Sequence, residues 1–274
     1  MGSKNHFYLS PYAPIPLSPH HFSQQFATNE DNILTGTLIR NITAPEVFFC
    51  PEESHFYSHC LERLVFSQCT DCDLIVEFGA GDGSPVINSL MRSHFQSEIH
   101  GFELNSAAYE VAKSRVDQCN LQDKYILHNQ SFFDFASTDA NYLIANPPYI
   151  PAPDNKIRMP LLHGGTDGAT ITNRLLTLDY PNVMLLISSY SNPIETLQWA
   201  AGQGYTVADF MVTPLKFGCY SSEPKVKKWI GQLREQGQAF YSQNIYFLAG
   251  VLFKHSSFGT PDLSNELMQV MTAL

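Results

Sequence analysis

The run NYLIANPPY, residues 141–149, sets an amide side chain, two prolines and a phenol directly behind a short apolar stretch. Prolines fit poorly inside a strand or helix, so an element ends here and the chain stiffens. Each proline also biases the residue before it toward an extended backbone, which constrains Asn146 and Pro147. The side-chain oxygen of Asn146 and the carbonyl of Pro147 then form two hydrogen-bond acceptors on a rigid frame, and the Tyr149 ring adds a flat face. That combination suits a planar –NH2 group, of an amide or an adenine, whose lone pair is delocalised into a neighbouring π system. Two acceptors that hold its N–H groups orient the nitrogen and increase electron density on it. Asn146, Pro147, Pro148 and Tyr149 are therefore the candidate catalytic residues.

A second landmark, DLIVEFGAGDGSP, lies roughly 65 residues earlier. An apolar strand ends at Glu77, and Gly79, Gly81 and Gly83 follow at alternate positions around Ala80 and Asp82. Ser84 is placed to cap a helix with Pro85 at its first position. The dinucleotide fingerprint is Gly-x-Gly-x-x-Gly, whereas this loop reads Gly-x-Gly-x-Gly behind an acid. A strand-end glutamate repels a pyrophosphate and attracts an ammonium group, so the expected ligand is a nucleoside carrying an amino-acid moiety. Twenty residues beyond Gly83, Glu103 closes the next apolar run beside Leu104, where an acid takes a ribose hydroxyl pair in nucleoside-binding sheets. The combination points to S-adenosylmethionine. With the Asn146 loop it implies methyl transfer to a planar nitrogen by in-line displacement, in which positioning is the main catalytic contribution.

These loops need a scaffold that brings them together. Apolar, strand-like runs recur at 74–78, 98–104, 125–129, 142–146, 183–188, 205–212 and 245–253. Helical segments at 85–94, 106–119, 169–178, 193–202 and 224–236 fill most gaps, after a helix expected over 51–66. Such alternation predicts an α/β, Rossmann-like fold: a seven-stranded, mostly parallel sheet with helices on both faces and an antiparallel last strand. In a sheet ordered 3-2-1-4-5, strands 1 and 4 lie side by side, so the glycine loop and the Asn146 loop should face each other across the crevice. The expected organisation is an irregular Pro-rich arm over 1–45 with a short hairpin around Gly36, a catalytic domain over 46–255, and a peripheral tail over 256–274. The stretch 213–244 is long enough to be a substrate-recognition insertion.

Composition narrows the partners. No apolar run approaches the roughly 18 residues that cross a bilayer, and no signal region opens the sequence, so a cytoplasmic protein without membrane partners is expected. A formal net charge of −10 weighs against a large nucleic-acid footprint. The basic helix carrying Lys225, Lys227, Lys228 and Arg234 is the exception. Six cysteines, with Cys69 and Cys72 spaced as Cys-x-x-Cys and His55 and His59 upstream, fit no standard zinc finger. Reduced, mostly structural thiols without a metal are expected.

On these motifs the chain resembles the HemK/PrmC group of S-adenosylmethionine-dependent N-methyltransferases, and the wider Asn-Pro-Pro-Tyr class that includes adenine-N6 methyltransferases. FFCPEESHF is similar to the family's lead-in helix, which implies that Glu53, His55 and Phe56 lie beside the cofactor. VEFGAGDGS resembles its cofactor loop and FELN its ribose-binding acid. LLHGGTDG resembles a stretch of the release-factor enzymes, implying that Gly164, Gly165, Asp167 and Gly168 shape the strand 4 exit. Where family members carry an acid for the adenine amino group, this chain has Gln130 and Ser131, with Phe132 as a wall and Asp134 late. Met159–Pro160 stands where the family has Glu-Pro, and the first 45 residues are too short for its helical substrate domain. The resemblance implies a protein glutamine amide as acceptor, such as that of a translation release factor. The alternatives are adenine in RNA or DNA, with Lys225, Lys227, Lys228 and Arg234 on phosphates, and a non-catalytic cofactor-binding interaction module.

Overall fold

The computed structural model describes residues 47–70, 73–136, 139–255 and 261–274. The expected arm and hairpin, and Cys72, lie outside the described residues. Seven strands form one sheet: β1 (Ile75–Phe78), β2 (Ile99–Phe102), β3 (Tyr125–His128), β4 (Tyr142–Ala145), β5 (Asn182–Ser188), β6 (Tyr205–Lys216) and β7 (Ile245–His255). Their order is β3-β2-β1-β4-β5-β7-β6. The first five are parallel. As expected, the last strand is antiparallel: β7 inserts between β5 and β6 and runs against both.

Pleat alternation divides each central strand between two cores. On one face Ile75, Tyr142, Ile144, Met184 and Leu186 pack together. They lie under α1 (Pro51–Cys60), a π-helical continuation at Leu61–Phe66, α2 (Ser84–Arg92) and α3 (Ser106–Gln118). On the other face Val76, Leu143, Ala145, Val183 and Leu185 pack together. There they meet the short α4 (Phe132–Phe135), α5 (Thr170–Leu176) and α6 (Pro193–Gly202). The helix over the 213–244 stretch, α7 (Pro224–Glu235), buries Val226, Ile230 and Leu233 against the first core. Within the segment expected as a peripheral tail, α8 (Ser264–Met271) buries Leu267 and Met271 in the second core. No described helix is long and apolar enough to cross a membrane.

Two local details depart from the sequence expectation. The cap of α2 is Gly83, in the left-handed region at φ 74°. The capping acceptor is the Asp82 carboxylate, which takes the Ser84 backbone N–H at 3.0 Å and its hydroxyl at 2.6 Å. Arg115 on α3 then holds Asp82 through an ion pair of 2.5 Å and a bond to its carbonyl at 3.0 Å. Asp82 and Arg115 thus tie the glycine loop to the neighbouring helix.

Candidate active site

β1 and β4 pair in parallel with Phe78 opposite Ala145, so Gly79 and Asn146 leave the sheet side by side. Both loops open into one cavity of about 830 Å³. Gly79 and Gly81 adopt φ of 70° and 58°, a region that favours glycine because it has no Cβ. A Cβ built on either would meet nothing within 4 Å, so there is open space above the loop's backbone. Gly79 and Ala80 donate to the Phe102 carbonyl at 3.0 and 3.1 Å.

Glu103 links this loop to the cavity. Its carboxylate accepts the Gly81 N–H at 2.8 Å and the Asn105 N–H at 2.7 Å. Burial raises its pKa, and these backbone donors oppose the shift. A carboxylate has about four acceptor positions, and with Gly81, Asn105 and Leu104 as backbone donors acceptor capacity remains for a ligand hydroxyl. Gln130, Ser131, Phe132 and the exposed Leu104 complete this side of the cavity.

The other side is the β4 exit. Ile150 bridges to His163, donating to the Leu162 carbonyl at 3.0 Å, while its own carbonyl accepts the Gly164 N–H at 2.9 Å. A Cβ on Gly164 would sit 2.7 Å from the Pro148 carbonyl oxygen, and one on Gly168 would sit 2.6 Å from that of Tyr149. Gly164 and Gly168 thus shape this exit by close backbone approach, whereas Gly165 abuts the Thr170 side chain. Asp167 caps the turn by accepting the Ala169 N–H at 3.0 Å and the Asn192 amide at 3.1 Å. Ser191 donates to the Tyr149 carbonyl at 2.7 Å. The loop is thereby held from three directions.

At its centre Asn146 Oδ1 and Tyr149 Oη are buried and lack a hydrogen-bond partner. Beside them stands Glu53, in the first turn of α1 and 8% exposed. It accepts from Tyr246 Oη at 3.4 Å. Asn146, Tyr149 and Cys50 also direct polar groups at it, Tyr149 without completing good hydrogen-bond geometry. Burial pushes the Glu53 pKa up, and these neighbours restrain the rise. The Tyr149 ring is 6% exposed and tilts against Tyr190 at 5.9 Å.

Of the residues singled out from sequence, Glu53, Gly79, Gly81, Glu103, Leu104, Gln130, Ser131, Phe132, Asn146, Pro147, Pro148 and Tyr149 line the cavity. Phe56, Ala80 and Gly83 stand behind it: Phe56 and Ala80 in the core, Gly83 packed toward Ala112. His55 turns outward and pairs with His59 at 3.1 Å. Glu77 requires a correction. It is 1% exposed, on the same pleat face as Ile75, and accepts from Tyr57 Oη at 3.3 Å and from Tyr125 Oη. Burial pushes its pKa up to about 8, so near neutrality it is mostly uncharged. It does not present an anion to an ammonium group in the cavity; Phe78, one residue on, lines the cavity instead.

Sequence reasoning missed Tyr190 and Tyr246; the wall from Pro214 to Ser221 falls within the 213–244 stretch singled out as a candidate substrate-recognition insertion. β6 extends to Lys216, past the apolar run expected at 205–212, and so enters that wall. On α7, Lys225 is engaged by Asp154 and by the Lys156 carbonyl at 3.0 Å, and Arg234 lies 4.6 Å over the Tyr241 ring. Among the described residues no cluster of three His, Cys, Asp or Glu side chains is arranged to hold a metal.

No family model matches the chain. A curated release factor glutamine methyltransferase of Gloeobacter violaceus is 23% identical over 186 residues, 64% of this chain and 62% of its own length. A curated tRNA1(Val) (adenine(37)-N6)-methyltransferase of Pectobacterium carotovorum is 32% identical over 80 residues, 28% of this chain and 32% of its own. The chain thus spans less than two thirds of the length of these relatives. A candidate RNA methyltransferase structure from Pyrococcus horikoshii superposes with a TM-score of 0.51 at 10% identity, over 76% of this chain and 87% of that one. The fold is accordingly the Rossmann-like methyltransferase fold. Both curated names fall in the two enzyme groups to which the Asn-Pro-Pro-Tyr resemblance pointed.

Proposed function

We propose that this chain is an S-adenosylmethionine-dependent N-methyltransferase acting on a planar nitrogen, with a protein glutamine side-chain amide as acceptor. The observation that carries the reading is the orphaned Asn146 Oδ1, set in the same cavity as the glycine loop that leaves the adjacent strand. A buried acceptor without a donor costs about 1–3 kcal/mol, and an incoming N–H relieves that cost. The residues fit the cofactor: open space over Gly79 and Gly81, spare lone pairs on Glu103, and apolar walls at Leu104 and Phe132. When bound, the cofactor supplies a sulfonium methyl as the electrophile.

Asn146 Oδ1 and the Pro147 carbonyl accept the two N–H groups of the acceptor and fix the plane of its nitrogen. The two prolines, with Gly164 and Ser191 behind them, keep these acceptors from shifting as charge develops. No side-chain base is needed, because the nitrogen is cationic once it has taken the methyl group and is then acidic enough to lose a proton to water.

A protein acceptor is favoured by the cavity's rim. Phe49, Leu104 and Leu161 line it while remaining 40%, 71% and 56% exposed, and of the four cations on α7 Lys225 and Arg234 are already engaged, which leaves the exposed Lys227 and Lys228. The curated relative with the longer match also carries a glutamine methyltransferase name. The adenine-N6 reading has the shorter relative and the aromatic lining in its favour. The experiment is to incubate cell extract with the purified protein and tritiated methyl donor, then treat it with protease or nuclease. Label released by protease supports the protein acceptor, label released by nuclease the adenine acceptor, and no label under any condition refutes methyl transfer.

A further inference from the structure

We propose that Glu53 is a positioning residue that sets the orientation of the Asn146 amide, holding its Nδ2 end so that Oδ1 is the end left to accept a bound N–H. This rests on the reading of Asn146 given above, and it takes Glu53 away from the cofactor side, where resemblance alone put it.

The two ends of an asparagine amide are nearly the same size, so its orientation is decided by the groups around it. An ionised carboxylate only accepts hydrogen bonds, and therefore selects the Nδ2 end. A protonated one also donates, and is then matched to Oδ1. The Glu53 side chain stands within reach of Asn146, Tyr149, Cys50 and Tyr246, while Asn146 Oδ1 finds no donor of its own. Tyr246 on β7 holds Glu53 Oε1 at 3.4 Å, and the Pro51 start of α1 aims Glu53 inward. Among the described residues every titratable group that faces Glu53 is a weak acid: Cys50 from the α1 lead-in, Tyr149 from the β4 exit, Tyr190 from the β5 exit and Tyr246 from β7. No cation is among them to hold the carboxylate ionised in acid. Burial raises the Glu53 pKa, so the charged form prevails above that raised value and is lost as pH falls through it.

The test follows the Asn146 side-chain amide by NMR in protein with selectively labelled asparagine, assigned against Asn146→Ala. In the wild type the Nδ2 signal should titrate with pH, with a midpoint above the ordinary carboxylate value. Glu53→Gln should abolish that titration and lower label transfer to extract by about tenfold or more, with donor affinity unchanged. Tyr246→Phe, which deletes a donor to the charged form, should move the midpoint upward. It keeps the proposal testable should Glu53→Gln fail to fold. An Asn146 signal indifferent to pH and to both substitutions overturns the proposal. A titrating signal in a protein that labels nothing in extract would leave the Glu53–Asn146 coupling standing and refute the methyl-transfer reading instead.

Discussion

Asn146→Ala separates folding from function at a single side chain. In the folded protein Oδ1 is buried without a partner, a deficit of about 1–3 kcal/mol that truncation removes. Asn146 is also one of the polar neighbours of the buried Glu53 carboxyl; on the proposed orientation truncation loses there a hydrogen bond to a charged group, about 1.5–3 kcal/mol. The two effects nearly offset, so folding stability should change by less than about 1 kcal/mol, or about 2–4 °C in Tm for a chain of this size. Catalysis should respond very differently. Removing one preorganised hydrogen-bond partner from a reacting centre costs about 10²–10³ in kcat, and no described neighbour replaces this acceptor. Calorimetry should find donor affinity within a few-fold of wild type, while single-turnover transfer of a tritiated methyl group falls by that factor. A donor affinity weakened more than about tenfold, some 1.4 kcal/mol, would show that Asn146 belongs to the cofactor site. A fall in Tm beyond about 10 °C, several kcal/mol here, would show that its role is structural.

Glu103→Ala leaves the Gly81 and Asn105 N–H groups without the acceptor they now share. Donor binding should weaken by about 1–2 kcal/mol, and an unchanged calorimetric affinity would remove Glu103 from the cofactor site. Glu77 offers a test by pH. Its folded pKa is raised from 4.5 to about 8, so the native state binds the proton more tightly than the unfolded chain. Its contribution is fully present below 4.5 and is lost as pH rises toward about 8. Thermal melts across that window should decline less steeply for Glu77→Gln than for wild type; parallel curves would mean that Glu77 is ionised in the native protein.

The two reactive loops were legible in the sequence because glycine and proline act locally. Gly79 and Gly81 mark positive φ, and Pro147 and Pro148 mark a stiff strand exit, whatever surrounds them. Strand order followed from alternating apolar runs and helical segments, and with it the meeting of Gly79 and Asn146 at one edge. What lies around Asn146 was not legible. Tyr246 is 100 residues from Asn146 and Tyr190 is 44, and they reach Glu53 only because β7 inserts beside β5. The sequence placed an acid at the end of β1, but pleat parity turned Glu77 into the core between two phenols. A face, a register and a strand order are set by distant pairings that no short window of residues contains. That is why the reactive loops could be read in advance, while the phenols gathered around Glu53 and Asn146 emerged only from the folded chain.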